Sequence, residues 1–259
     1  MRLIWLGAAG FKLDTSEGAT LLIDPFLSRP SKATPRLPIL LTDLYPIDEI
    51  LLTNSRFDHA MDTPALTAQT GAIVHACEAT CRRFEELGVS KHSLESITPQ
   101  ASKKLGSLSW QALPSLVNQL DSSLVLRALT NNPKNLAVAQ ELDRRWPPGE
   151  TFMYYLQADG LSLVHFGSAG WLETEIKHLQ PDIALLPVEG HPNANSAAVQ
   201  LTARLTPKVV VPHHWDNYYP PLTQQIDLKE FQATINIVAP GIKVYIPTIG
   251  QSFNPAALL

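Results

Sequence analysis

Asp58 and His59 close the segment LLTNSRFDHAMD, residues 51–62. A carboxylate beside an imidazole, directly after an apolar run, is a common beginning for a metal site. Both groups are borderline-hard ligands that suit zinc, iron or manganese. Further imidazoles follow later apolar runs: His165 in LSLVHFG, His191 in EGHPNAN, and the adjacent pair His213-His214 in VVVPHHWD. Neighbouring residues of a strand point to opposite faces, so one of His213 and His214 can face a site while the other packs. On residue types alone, Asp58, His59 and either His213 or His214 make a candidate three-ligand set. Asn54 and Arg56 share the first segment, and Arg56 is a permanent cation. His75, His92 and His178 have no suggestive neighbours and read as ordinary core or surface residues.

These residues need elements that deliver them to one place. RLIWLG, GFKLDT and ATLLIDP read as strands, IDEILLTN and AIVHA as buried strands, and KLGSLSWQALP as two short ones. TFMYYLQADGLSLVHFG reads as a hairpin turning at Asp159-Gly160. DIALLPV, KVVVP and KVYIPTI are later strands. Helices are expected in MDTPALTAQT, CEATCRRFEELG, LAVAQELDRRW, WLETEIKHLQ, SAAVQLTARL and LKEFQATINI. Residues 28–47, rich in proline, read as an irregular excursion. No repeat of fixed period and no linker is visible, so 1–259 reads as one α/β domain, a four-layer αββα sandwich. The candidate residues all lie on loops after strands, where functional groups gather.

The 259 residues are 45% apolar and 17% charged, with a net charge of −4. That balance suits a globular protein with a sizeable core. It offers no basic surface for nucleic acid, and no stretch has the ~18–20 apolar residues of a membrane helix. Cys77 and Cys81 lie one helical turn apart, which argues against a disulfide framework and for a reduced, cytoplasmic compartment.

The motifs WLGAAGF, LLIDPFLSRP, LLTNSRFDHAMDTPAL, LPSLVNQ, HFGSAGW and VVVPHHWDNYYPP resemble, in order, those of the metallo-β-lactamase fold superfamily. The likeness is greatest to the metal-dependent hydrolases around the ascorbate-6-phosphate lactonases. It covers nearly the whole chain and implies the αββα fold. The family's fourth-strand motif reads Thr-His-x-His-x-Asp-His. Its two leading histidines, with a histidine after the LPSL segment, hold the first metal. Those positions are Asn54, Arg56 and Val117 here. The second metal takes the Asp-His pair and a late histidine, which correspond to Asp58, His59 and His214. The bridging aspartate of many relatives falls at Ser168. The resemblance therefore implies one zinc at the second site, or none. Mono-zinc carbapenem-hydrolysing members of the superfamily also carry Asn at the first histidine.

Two functions stay open. One is a hydrolase of an ester, lactone or amide, with Asp58, Arg56, Asn54 and Ser168 as catalytic-site groups and His191 lining the pocket. In it, Arg56 pairs bidentately with Asp58 or holds an anionic substrate group, and Asp216 supports an imidazole or caps the next loop. The other is a metal-free pseudoenzyme that binds a small anion or a partner protein through Arg56. Residues 118–150, with Arg144, Arg145 and Trp146, are a candidate lid. Tyr218, Tyr219, Pro220 and Pro221 are a candidate contact patch for a homo-oligomer.

Overall fold

Alternating apolar residues make Arg2–Gly7 (β1) and Gly10–Asp14 (β2) an antiparallel hairpin, with Leu3 opposite Leu13 and Trp5 opposite Phe11. Thr20–Ile23 (β3) adds antiparallel to β2. Glu49–Leu51 (β4), Ile73–Ala76 (β5) and Leu94–Ser96 (β6) then add in parallel. Ser102–Leu105 (β7), Leu108–Pro114 (β8), Phe152–Ala158 (β9) and Leu161–His165 (β10) form an antiparallel run. Ile183–Pro187 (β11), Val209–His213 (β12) and Lys243–Val244 (β13) extend it in parallel. Ser252–Phe253 (β14) returns to pair with β1. The result is two seven-stranded sheets, β14-β1-β2-β3-β4-β5-β6 and β13-β12-β11-β10-β9-β8-β7. This computed structural model describes residues 1–116, 133–147, 149–167, 170–189 and 194–259.

The helices are Phe57–Ala60 (α1), Thr63–Thr70 (α2), Glu78–Glu86 (α3), Pro133–Arg145 (α4), Glu173–Ile176 (α5), Ala194–Leu205 (α6) and Lys229–Val238 (α7). Three apolar cores account for the layers. Trp5, Phe11, Trp110, Tyr154 and Leu185 fill the space between the sheets. Leu66, Val74, Phe84 and Trp146 lie under the helices of the first sheet. Leu186, Leu201, Phe231 and Ile235 do the same for the second. The four-layer αββα sandwich is therefore present. The strands β3, β4, β11 and β12 are buried along their length, as parallel strands covered on both faces should be.

Several local expectations need correction. β6 and β14 have little sequence signal, because each is two or three residues long and takes its form from the pairing partner. Asp58 and His59 sit in the single-turn helix α1 rather than in an open loop. His75 is not an isolated imidazole. It is fully buried on β5, with Nε2 3.5 Å from Glu49 Oε2 and Nδ1 3.4 Å from Glu95 Oε2. Its ring lies 4.7 Å from that of Trp110. Of the segment 118–150, α4 contacts α1, and Trp146 is buried against Phe84. Trp146 is thus a core anchor rather than a lid side chain. Arg144 pairs with Glu141 at the surface. Residues 118–132 and 148 lie outside the described residues.

Candidate metal centre

The parallel strands of both sheets deliver their C-terminal ends to one edge. Asp24 follows β3, Thr53 to His59 follow β4, and His214 follows β12. The carboxyl ends of strands are where α/β sheets usually place ligands. Two hydrogen bonds tie the first sheet's loop to the second sheet at this edge: Phe152 N–H donates to Thr53 O at 2.8 Å, and Tyr154 O–H donates to Leu52 O at 2.9 Å. Gly167 lies so close that a Cβ there would overlap the Thr53 side chain.

Asp24, fully buried and at φ 46°, organises the site from below. Its Oδ1 accepts from Thr53 N–H at 2.8 Å, and its Oδ2 accepts from Thr53 Oγ1 at 2.5 Å. The same Oδ2 is 2.8 Å from His59 Nδ1. A carboxylate on Nδ1 fixes that nitrogen as the donor and leaves Nε2 for the site. His59 Nε2 faces Asp58 Oδ2 at 3.8 Å. The His59 and His214 rings are 5.4 Å apart. One ligand atom each from Asp58, His59 and His214 lies within 4.8 Å of the other two, and all three residues are buried.

His214 has φ 59°, a strained value for a residue with a Cβ. Its N–H donates to Ala8 O at 3.1 Å, and Ala8 N–H in turn donates to Asp216 at 3.0 Å. Asp216 also pairs with the buried Arg29 at 2.6 Å. A Cβ on Gly7 would come within 2.7 Å of Arg29 Nη1 and 3.0 Å of Asp216 Oδ2, so glycine is what admits this ion pair. Asp216 supports a peptide and an arginine, not an imidazole as one sequence expectation had it. Both nitrogens of His214 are buried without a hydrogen-bond partner. Such orphaned groups are rare in proteins, and a bound cation would take the lone pair of one of these two nitrogens. His213 turns the other way and stacks on His165, centroids 5.0 Å apart. His165 is itself used up by Ala9 O and Gly167 N–H.

The electrostatics follow from this arrangement. Burial pushes the Asp58 carboxyl up, but the fields of His59, His214 and Arg56 and the nearby Tyr218 hydroxyl outweigh it and hold it below the usual range. Burial lowers His59, yet the Asp24 and Asp58 carboxylates raise it above the ordinary imidazole value. Burial dominates at His214, which drops to about 3 and stays neutral. A neutral imidazole is the form that binds a metal. Asp216 is pushed up to about 6 by burial, against the pull of Arg29.

The structure brings together Asn54, Arg56, Asp58, His59 and His214. Val117, Ser168 and His191 lie outside the described residues. Arg56 does not form the expected bidentate pair with Asp58. It is half-buried and acts on that carboxylate through its field, while the nearest ring nitrogen to Asp58 is His59 Nε2 at 3.8 Å. Asn54 Oδ1 accepts from Arg56 N–H at 2.9 Å, and Asn54 Nδ2 donates to Thr53 Oγ1 at 3.2 Å, so this amide shapes the loop. Tyr218 is buried against His214 and Phe26 and is not a surface contact patch. Sequence reasoning missed Asp24 and Tyr218. The signal for Asp24 was its place directly after LLI and before Pro25, a strand end that precedes a fixed turn.

Residues 2–214 match a family model described as a beta-lactamase superfamily domain. A metal-dependent hydrolase of Polynucleobacter asymbioticus is 29% identical, over 96% of this chain and 85% of its own. One of Methanobrevibacter smithii is 28% identical, over 98% and 97%. Among solved structures, the metallo hydrolase Igni18 of Ignicoccus hospitalis has 22% identity and a TM-score of 0.69, covering 98% of both chains. An isothiocyanate hydrolase from Delia radicum gut bacteria has 16% identity and a TM-score of 0.69, again over 98% of both.

Proposed function

Because the chain belongs to the beta-lactamase superfamily, we propose that it is a metal-dependent hydrolase of an ester, lactone or amide, working with one divalent cation held by Asp58, His59 and His214. The observation that carries this reading is the His214 ring, buried and neutral, with two unpartnered nitrogens next to Asp58 and His59. Two imidazoles and a carboxylate are the donor set of many catalytic zinc sites. The 3.8 Å between His59 Nε2 and Asp58 Oδ2 is close to the separation of two ligands that each stand about 2.0–2.1 Å from one zinc. The names of the curated relatives, all metal-dependent hydrolases, support the same reading.

A zinc held by Asp58, His59 and His214 would supply an acidified water, with a pKa of about 7, and a Lewis acid for the carbonyl oxygen. The chain's own groups do the rest. Asp24 holds the His59 tautomer. Asp58 keeps its charge at neutral pH, and Arg56 offers a guanidinium that can hold an anionic substrate group or a developing oxyanion. The superfamily's first metal site lacks donors here, because Arg56 carries only N–H groups and Asn54 is spent on its loop.

One observation favours a metal-free binding module instead. His59 lies 2.8 Å from Asp24 and 3.8 Å from Asp58, so an imidazolium there would offset one of the two carboxylate charges without a metal. Metal analysis after dialysis against zinc separates the readings. About one equivalent, lost on His214→Ala, supports the hydrolase, and a zinc-dependent turnover of simple esters or lactones completes it. No retention at micromolar zinc leaves the binding module, and two equivalents overturn the single-site proposal.

A further inference from the structure

The proline-rich excursion after β3 carries a charge pattern that the candidate metal centre does not use. Residues 25–42 contain Arg29, Lys32 and Arg36 and no acidic side chain, in a chain whose net charge is −4. A cavity of about 280 Å³ lies in this segment, lined by Arg29, Ser31 and Arg36 and by the apolar Leu27, Ala33 and Leu37. It is smaller than the roughly 300–1,000 Å³ pockets that take whole small molecules, so it suits a small ion or one group of a larger ligand. Arg29 is its fixed wall, with a side chain only 4% exposed. Arg29 Nη2 donates to Asp216 Oδ2 at 2.6 Å, whereas Nε and Nη1 are buried with no hydrogen-bond partner among the described residues. Arg36 is exposed and forms no ion pair among the described residues.

The loop around the cavity is held from both flanks. Asp62 accepts from the N–H groups of Leu27 and Ser28 at 2.5 and 2.8 Å and from the Ser28 hydroxyl. Ala33 N–H closes a turn onto Pro30 O at 2.9 Å, and Thr34 and Asn217 exchange N–H···O bonds of 3.0 and 2.8 Å. We propose that this cavity is an oxyanion site that takes a phosphate group between Arg29 and Arg36, with the Ser31 hydroxyl as a further donor. A guanidinium fork matches phosphate oxygens in geometry and charge. Asp216 balances Arg29, but no acid in the lining balances Arg36, so the site keeps one uncompensated positive charge. An acceptor there would also serve a buried guanidinium whose remaining donors are unused. The site is distinct from Arg56 and does not rest on the metal reading.

Calorimetric titration of inorganic phosphate into the full chain, freed of metal with a chelator, tests this. One saturable site is expected, weakened by about tenfold in Arg36→Gln. Lys32→Gln, on the same loop but outside the lining, and Arg56→Gln, at the candidate metal centre, should bind phosphate as the parent does. Arg29→Lys keeps a charge beside Asp216 but replaces the fork by a single ammonium, and it should weaken binding as well. If that variant does not fold, Arg36→Gln decides alone. No saturable binding at millimolar phosphate overturns the proposal, and so does an Arg36→Gln protein that binds like the parent. An equal loss in Lys32→Gln overturns it too, since the loop's charge alone would then attract the ion. A loss confined to Arg56→Gln places the anion at the metal centre and overturns it likewise. Displacement by phenyl phosphate supports the site with the phosphate of a larger molecule as its ligand, and binding of inorganic phosphate alone supports it with the free ion.

Discussion

The Asp24 carboxylate and the His59 Nδ1 stand 2.8 Å apart, both buried, with Thr53 donating to the same carboxylate from its N–H and its hydroxyl. One acidic residue thus sets the loop that follows β4 and the ring orientation of the histidine on it. Asp24→Asn keeps the size but can turn an N–H towards Thr53 or His59. It should weaken zinc binding by about 10- to 100-fold and cost about 1–3 kcal/mol of stability. Zinc titration and urea unfolding of the same variant measure the two effects.

Arg29 and Asp216 form an ion pair that is nearly inaccessible on both sides. Asp216→Ala strands the guanidinium, whose Nε and Nη1 already lack partners. A loss of about 3–5 kcal/mol is expected, as for other broken buried pairs. Arg29→Met combined with Asp216→Ala should recover part of it. A double-mutant cycle by urea unfolding gives the coupling, and additive losses would show that the pair is not a unit.

Glu49 gives the protein a pH signature remote from the metal centre. Burial pushes its carboxyl up, but His75, Lys103 and Trp110 pull it from 4.5 down to about 2. Lys103 Nζ is 2.8 Å away and Trp110 Nε1 2.9 Å. His75 Nε2 stands at 3.5 Å, too far for a good hydrogen bond. A depressed carboxyl stabilises the fold above its unfolded value and loses that contribution as pH falls through the folded one. Up to about 3 kcal/mol should therefore disappear between pH 5 and 2. Glu49→Gln should flatten that part of the stability curve.

Asn54→His, Arg56→His and Val117→His together should raise zinc from about one equivalent to two. Arg56→His alone should not, since it adds one imidazole where three donors are needed. Asn54 also holds the Arg56 N–H, so the triple variant needs a check of its folding by circular dichroism. A folded triple variant with the parent's stoichiometry would refute the lost-site argument.

The apolar runs made most strands legible, and the family resemblance pointed to Asp58, His59 and His214, whose ligand atoms the fold brings within 4.8 Å of one another. The supports were harder to read. Asp24 acts on His59 across 35 residues of chain, and no local pattern marks such a partner. Strand alternation left His213 and His214 both open, and the positive φ of His214 and its bond to Ala8 O arise only where two loops meet. His75 is a core residue, as its sequence reading allowed, but its partners Glu49 and Glu95 come from the strands on either side of it and left no local signal.

The two sheets share one pairing scheme. Each runs through three antiparallel pairs and then three parallel ones, pivoting on β3 in the first and β10 in the second. Asp58 and His59 ride on one of these halves and His214 on the other. The first half carries two of the three candidate ligands and the second half one, so only the docked halves complete the set. Chelation would then report the closure of the interlayer seam during refolding: a stopped-flow zinc indicator should stay silent through the formation of each sheet and respond only when the halves dock.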